Sequence, residues 1–251
     1  MFKLLVILAA VTAFSAGRED LSFTMEDKVL RVKEVKFTSP LPGAAQIDSM
    51  FNAMEIPYNP IDMENWPGFE YHPSVKFRIA YSPAEIYIQY LVTEADIKAV
   101  YGEDEGAAPY KDSCVEFFSV PGEDGIYYNL EMNCIGKGTF AGGAKRTERT
   151  RFGKELLSGI RRYSTLGSKP FGIKTAAEND GKPYTWQLTV AIPVEVFCLS
   201  EVKPLKGRTI RANFYKCGDD MPQRQYLTWN PVKTERPNFH TPEYFGYLYF
   251  E

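Results

Sequence analysis

Two short runs of strand-forming residues enclose a turn signal in the segment 109–134, and this arrangement constrains the fold more than any other feature. The first run, Ser113 to Val120, is rich in β-branched and aromatic residues, and the second, Ile126 to Asn133, repeats that character. The turn cluster from Pro121 to Gly125 lies between them. The pattern predicts a β-hairpin, because β-branched and aromatic residues favour strands whereas Pro, Asp and Gly favour turns.

The sequence leaves the register of this hairpin open. A turn centred on Asp124 puts Cys114 opposite Cys134, and the two are then either a disulfide or two small buried hydrophobic residues. A shift of one residue places Glu116 beside Glu131 and separates the cysteines. A regular ladder allows only one of these pairings, unless a β-bulge intervenes.

Other segments show the same strand character. In Ser74 to Tyr81, apolar residues at positions 75, 77 and 79 alternate with Lys76 and Arg78, which is typical of a half-buried antiparallel strand. Further strands are predicted over Glu85 to Thr93, Trp186 to Pro193, Thr209 to Cys217, Tyr226 to Trp229 and Tyr244 to Phe250. With no long segment of 3.6-residue periodicity, we expect an all-β antiparallel sandwich of the jelly-roll kind, with long loops and few short helices.

The segment 136–151 is rich in glycine and basic side chains. Its cations are Lys145, Arg146, Arg149 and Arg151. A basic patch can contact a sulfated or acidic polysaccharide. We favour the simpler interpretation, a solvated loop whose charge is balanced by Glu148 and Glu155.

The first 16 residues join a basic start at Lys3 to an apolar core from Leu4 to Phe14 and end in small residues. They predict a signal peptide over residues 1–16, a secreted or periplasmic protein, and one β-sandwich domain over 17–251. The apolar run is shorter than the roughly 20 residues that a membrane helix needs, so no membrane span is expected.

Length and charge narrow the function classes further. A chain of 251 residues suits one large β domain, since such domains reach about 200–250 residues. Its aromatic content of 14% supports a sizeable folded core. The formal net charge of -3 gives no support for a nucleic-acid partner.

Four short motifs occur in order over the region from Lys76 to the C-terminus. They are DSCVEFF (Asp112 to Phe118), RANFYKCGD (Arg211 to Asp219), TWNP (Thr228 to Pro231) and FHTPEYFGYLYF (Phe239 to Phe250). Together they resemble carbohydrate-binding module family 9, and more closely the family-9-like secreted bacterial proteins found near polysaccharide-degrading enzymes. Each motif alone is weak, but their order makes chance agreement improbable.

The resemblance implies a β-sandwich that holds a sugar, typically the reducing end of a glucan or xylan chain, between two tryptophans. Matched by motif, these positions are Tyr110 and Phe239, which keep rings able to stack on a pyranose. The family's hydrogen-bonding glutamate falls on Glu116, and its arginine on the next strand falls on Asn129. The implied function is non-catalytic binding of a polysaccharide or oligosaccharide in carbohydrate catabolism, with polysaccharide-degrading enzymes as partners.

Family members also carry calcium between loops, so the resemblance implies a structural calcium ion. The candidate oxygen ligands are Asp112, Asp219 and Asp220. Their spacing does not follow the EF-hand pattern.

Two other functions compete with sugar binding. A glycoside hydrolase needs two carboxylates about 5–5.5 Å or 6.5–9.5 Å apart, and Glu116 and Glu131 supply a pair in one register. The family resemblance, however, uses nearly the whole chain and leaves no room for a catalytic domain. A haem-binding sandwich needs a Met/His axial pair, for which the seven Met and two His show no diagnostic spacing.

Overall fold

The computed structural model describes residues 27–104 and 106–251. The predicted signal peptide over residues 1–16 lies outside these residues. In the described ranges no helix is both long and apolar enough to cross a membrane. The α-helices of the described ranges are α1 (Ala44–Ala53) and α2 (Lys154–Gly159). The strands are β1 (Val29–Glu34), β2 (Asn59–Pro60), β3 (Ser74–Tyr81), β4 (Glu85–Glu94), β5 (Ile97–Ala99), β6 (Cys114–Val120), β7 (Tyr127–Asn133), β8 (Gly138–Lys145), β9 (Glu148–Arg151), β10 (Arg161–Ser164), β11 (Phe171–Lys174), β12 (Tyr184–Pro193), β13 (Thr209–Cys217), β14 (Tyr226–Thr228) and β15 (Gly246–Phe250).

Apart from β5 and β11, which pair with each other in a separate two-stranded sheet, the strands form two sheets that meet at β1. The front sheet continues from β1 in the order β15, β13, β6, β7, β8 and β9, and the back sheet in the order β3, β4, β12 and β10. Two short strands extend them, since β14 pairs with β13 and β2 with β3. Because β1 pairs with both sheets, they form one curled, mixed sheet folded into a sandwich.

The core lies between the front and back sheets. Phe77 of β3 stacks on Phe214 of β13 with ring centroids 3.6 Å apart, and both rings are fully buried. Val115 and Phe117 of β6 belong to the same buried cluster, whereas Glu116 between them points to the other face. Burying a side chain of this size contributes about 1.5–3 kcal/mol, so the period-two pattern fixes which face of β6 turns inward.

The all-β prediction is confirmed, and several strands match their predicted bounds closely. Ser74–Tyr81 and Thr209–Cys217 are strands with those ends. The description of the sheet as antiparallel needs one correction, because β1 runs parallel to both β15 and β3. Val29 pairs with Tyr247 at the far end of the chain. A local sequence pattern cannot identify a pairing partner that lies more than 200 residues away, as Tyr247 does from Val29.

The glycine-rich segment 136–151 is not a loop, and that expectation was wrong. It forms β8 and β9, which complete the front sheet. Glycine is depleted in strands in general, but here close backbone contact requires it. A Cβ atom on Gly138 would lie 1.9 Å from the Glu131 carbonyl oxygen, and one on Gly143 would lie 2.1 Å from that of Glu148.

The hairpin of β6 and β7 takes the register in which Glu116 faces Glu131. Cys114 therefore pairs with Asn133, and Cys114 and Cys134 are both free and buried. This register puts apolar residues opposite one another on the core face, because Phe117 faces Leu130. The alternative register would have brought outward-facing residues of one strand against inward-facing residues of the other.

A fully buried ion pair joins the two sheets. Lys216 of β13 and Glu94 of β4 are completely inaccessible, with Nζ and Oε2 2.9 Å apart. The Glu94 carboxylate also accepts hydrogen bonds from Trp186 Nε1 at 2.8 Å and from Gln225 Nε2 at 3.1 Å. Lys216 Nζ donates a second hydrogen bond to the Cys217 carbonyl at 3.0 Å. Both charges are thus fully engaged, as burial of charged groups requires.

Candidate functional site

A pocket of about 490 Å³ lies on the outer face of the front sheet, the face that points away from the core. This volume is in the usual range for small-molecule sites, about 300–1,000 Å³. Its floor consists of outward-facing side chains of β6, β7 and β13. They are Glu116, Phe118, Asn129, Glu131 and Cys217.

Loops and the β8–β9 hairpin build the walls of the pocket. At one end lie Tyr110 and Asp219, which are linked by a hydrogen bond from the Asp219 amide to the Tyr110 carbonyl at 2.8 Å. The loop before β15 contributes Pro237, Asn238, Phe239 and His240. The hairpin contributes Arg146, Arg149 and Arg151. The pocket is therefore enclosed by segments that are far apart in sequence.

The four ligand-binding residues predicted from the motifs, Tyr110, Glu116, Asn129 and Phe239, all line this one pocket. Tyr110 is 37% exposed, so its ring is available to a ligand. Phe239 is half-buried and its ring lies parallel to that of Tyr215, with centroids 4.1 Å apart. Packing on Tyr215, a fully buried residue of β13, holds the Phe239 ring in place.

Trp66 supports the Phe239 ring from below the pocket wall. It is 5% exposed, its ring centroid lies 6.0 Å from that of Phe239, and its Nε1 donates to the Thr234 carbonyl at 2.9 Å. A Trp that is buried and has its N–H satisfied acts as a structural anchor.

Two buried carboxyl groups lie side by side on the pocket floor. Burial, reinforced by the neighbouring acidic groups of Cys217 and Glu131, raises the pKa of Glu116 well above its ordinary value. Burial also raises the pKa of Glu131, although the Asn129 amide donates to its Oε1 at 2.8 Å. A protonated Glu116 can both donate to and accept from a sugar hydroxyl.

Asn129 is accompanied by a cation from the neighbouring hairpin. The Arg149 guanidinium donates a hydrogen bond to Asn129 Oδ1 and others to the carbonyls of Gly143 at 2.7 Å and Ala141 at 3.0 Å. It also lies over the Tyr127 ring, 3.8 Å from the centroid. The cation that the family resemblance expects on β7 is thus supplied from β9. Sequence reasoning missed this role because it assigned the basic run to a solvated loop.

His240 completes the wall next to these arginines. Burial, and then the charges of Arg146 and Arg149, lower its pKa to about 4. Its Nδ1 is 3.0 Å from the Tyr127 hydroxyl. The imidazole is therefore neutral at neutral pH and is held by a hydrogen bond.

The three aspartates expected to bind calcium have separate partners. Asp112 is fully buried and accepts from Asn133 Nδ2 at 3.0 Å, whereas Asp219 accepts from the Tyr226 hydroxyl at 2.8 Å. Asp220 pairs with Lys111 at 3.7 Å. Among the described residues they are not brought together as one cluster of ligand atoms, and calcium binding stays a prediction.

A different group of potential ligand atoms lies at the floor of the pocket. Cys114, Glu116 and Cys217 bring one such atom each within 4.8 Å of one another. Burial raises the pKa of the Cys114 thiol to about 12 and also raises that of Cys217, so both thiols stay protonated. The Cys217 thiol lies 3.0 Å from Glu116 Oε1 and donates to it. The three groups therefore form a hydrogen-bonded support for Glu116.

The raised pKa of Glu116 predicts a pH-dependent effect of Glu116→Gln. The folded state holds the Glu116 proton to higher pH than the unfolded chain does, so this site loses stability as the pH rises above about 4.3. Gln has the shape of the neutral acid but does not titrate. We expect the free energy of unfolding of the variant, relative to wild type, to increase from about pH 5 to about pH 8 in denaturant titrations.

Glu34→Gln is the matched control, since Glu34 is a glutamate outside the pocket. Its hydrogen bond to Lys206 lowers the pKa of its carboxyl, so its contribution is lost only as the pH falls below about 4.3. Its difference from wild type should stay constant over the same pH interval. A constant difference for Glu116→Gln as well would contradict the neutral form of Glu116.

The β-sandwich and its outer pocket of aromatic rings, amides and carboxyl groups define a carbohydrate-binding module. The chain belongs to carbohydrate-binding family 9, whose family model matches residues 45–250.

Solved structures agree with this assignment. A candidate carbohydrate-binding protein from Bacteroides uniformis ATCC 8492 is 39% identical, with a TM-score of 0.84 over 90% of this chain and 100% of that chain. A family 9 module from Caldicellulosiruptor kristjanssonii, solved with glucose and with cellotriose, is 14% identical with a TM-score of 0.56. These two alignments cover 89% of this chain and 96% and 94% of the others, and at that identity they show the fold. Among curated proteins, no match was found.

Proposed function

We propose that this protein binds a xylan- or glucan-type polysaccharide or oligosaccharide without cleaving it. In this proposal Tyr110 and Phe239 stack on the sugar ring, and Glu116 and Asn129 bind its hydroxyl groups. The observation that carries the proposal is that these four residues, separated by up to 129 positions, line one pocket. The family 9 module from Caldicellulosiruptor kristjanssonii, which shares the fold, was solved with glucose and with cellotriose.

The chemistry of the pocket suits a sugar. Aromatic rings pack against the apolar CH faces of a pyranose, and groups that both donate and accept satisfy its hydroxyls. The neutral carboxyl of Glu116 and the amide of Asn129 have this dual capacity. Since hydrogen bonds and ring packing hold both residues and Phe239, the site is largely formed before a ligand arrives.

The arrangement of the two glutamates argues against hydrolysis. A glycosidase places one carboxyl on each side of the scissile bond, with one of the two ionised. Glu116 and Glu131 instead pair on neighbouring strands of the same floor, and burial favours the neutral form of both. We therefore expect no release of reducing sugar from xylan or cellulose. In this proposal the protein is secreted or periplasmic and works beside enzymes that degrade the polysaccharide.

Calorimetric titration with xylo- and cello-oligosaccharides tests the proposed site. We expect Tyr110→Ala and Phe239→Ala each to weaken binding by about tenfold or more, since each removes a ring that covers the sugar. Tyr110→Trp, which keeps a ring of the family's usual kind, should retain binding.

Tyr249→Ala is the matched control, because Tyr249 is a half-buried tyrosine of β15 that does not line the pocket. It should bind as the wild type does. Unchanged affinity in both Tyr110→Ala and Phe239→Ala, with the fold intact by circular dichroism, would refute the proposed site.

A further inference from the structure

The β8–β9 hairpin turns one wall of the pocket into a cationic surface. Arg146, Arg149 and Arg151 all line the pocket, and we refer to them as the arginine wall. Arg149 and Arg151 are two positions apart on β9, so the period of the strand directs both to the same side. Arg146 reaches across the rim and donates to Asn238 Oδ1 at 3.2 Å.

The arginine wall has no carboxylate partner among the described residues. Arg149 donates only to Asn129 and to two backbone carbonyls, and its Nε is buried without a hydrogen bond. The Arg151 side chain makes no hydrogen bond or ion pair with the described residues, although its backbone pairs with β8. Of the eight other arginines in the described ranges, five pair with carboxylates. They are Arg31, Arg78, Arg161, Arg162 and Arg208.

The acidic groups of the pocket compensate the positive charge of the arginine wall only in part. Three acids line it, and burial raises the pKa of Glu116, Glu131 and Asp219. Asp219 lies at the Tyr110 end and is engaged by the Tyr226 hydroxyl. Glu131 faces the arginine wall, where Arg151 and Arg149 act to lower its pKa against the effect of burial. Arginine, in contrast, is always charged.

The positive charge of the arginine wall also affects the pKa of His240. After burial, the charges of Arg146 and Arg149 are the causes that lower its pKa. Tyr127, under Arg149, also has those two arginines acting to lower its pKa. A partly buried cation without a counter-ion is unfavourable, because desolvation weakens the hydration of the charge without replacing it. An anionic group on the ligand would supply the missing partner.

We propose that the ligand carries an anionic group, and that the arginine wall selects acidic saccharides over neutral ones of the same backbone. The inference rests on the proposed function and deepens it, because it names the ligand class of the same pocket. Tyr110, Phe239 and the floor bind the sugar ring, while the guanidinium groups bind a carboxylate or sulfate of the same or the adjacent residue. Arginine is suited to this role, since its planar fork matches both oxyanions.

The test compares ligands that differ only in the anion. The probes are xylotetraose with one glucuronyl branch against xylotetraose with one glucosyl branch, and cellotriose with and without one sulfate, titrated calorimetrically at low ionic strength. We expect at least one acidic member to bind about tenfold more tightly than its neutral counterpart, as expected for a charge-assisted hydrogen bond. The pair that shows the preference distinguishes a carboxylate from a sulfate ligand.

Changes in salt concentration and substitutions of arginine test whether the preference for acidic ligands arises from the arginine wall. Raising NaCl from about 20 mM to about 500 mM should reduce it, since exposed charges are screened. Arg151→Gln and Arg146→Gln should weaken the acidic ligand more than the neutral one. Arg31→Gln is the control, because Arg31 is exposed, pairs with Glu251 and lies outside the pocket. It should leave the preference unchanged.

The outcomes separate this inference from the proposed function. Equal binding of neutral and acidic ligands would overturn the inference and leave sugar binding in place. A preference that persists in both arginine variants would also overturn it, because the anion would then bind elsewhere. Failure of every saccharide to bind would overturn the proposed function itself.

Discussion

Lys216→Met is expected to lower the free energy of unfolding by about 3–5 kcal/mol, the usual loss when one partner of a buried ion pair is removed. Met fills a similar volume, so the loss comes from the Glu94 carboxylate, which would remain fully buried without its counter-ion. Trp186 and Gln225 would still donate to that carboxylate, but neither carries a charge. Denaturant titration followed by circular dichroism measures the change.

Two further variants test the cause of this loss. Lys206→Met removes a lysine whose ion pair with Glu34 is as short, 2.7 Å, but whose side chain is 72% exposed, so little change is expected. Adding Glu94→Gln to Lys216→Met removes the stranded charge and should recover part of the stability. Equal effects of Lys216→Met and Lys206→Met would show that burial of the pair is unimportant.

Gly138→Ala should destabilise the protein by about 3 kcal/mol, the upper part of the range for overpacked positions. Its Cβ would lie 1.9 Å from the Glu131 carbonyl oxygen, which is backbone and cannot turn aside as a side chain can. Strands β7 and β8 would have to separate. Since Glu131 lies on the pocket floor, we also expect weaker sugar binding, measured by the same calorimetric titration.

Gly172→Ala is the matched control, because Gly172 is also a strand glycine but has no neighbouring atom within 4 Å of the position that an alanine methyl group would take. It should change stability by less than about 1 kcal/mol, the scale of the glycine effect alone. Similar losses in the two variants would mean that the close approach of β7 and β8 is not what requires Gly138.

Local pattern was sufficient for most strands, and the resemblance to carbohydrate-binding module family 9 supplied the motif positions in the pocket. Ser74–Tyr81 and Thr209–Cys217 could be predicted to the residue, because apolar side chains at every second position follow from the strand geometry itself. The register of β6 and β7 was also within reach. Matching apolar positions across the hairpin, with Phe117 opposite Leu130, would have chosen it over the alternative.

The arginine wall was not predicted as part of a site. Gly138 and Gly143 led to the prediction of a loop, since glycine is unfavourable in a strand unless the backbone of a neighbouring strand lies close to it. The close contact between the two backbones depends on the position of β7, which cannot be inferred from the local sequence of β8. The spacing of Arg149 and Arg151 by two residues was the available signal, and it has meaning only once the segment is known to be a strand.

The sequence by itself determined the all-β class and the strands with apolar residues at every second position, and through its family motifs it identified four residues that line the pocket. Tertiary structure alone decided that β1 lies parallel between β15 and β3, and that Arg149 takes the place beside Asn129. The physical reason is the distance along the sequence between the residues that determine each feature. Alternation is set by each residue and its near neighbours, whereas strand insertion and the arginine wall depend on which distant segments share the sheet.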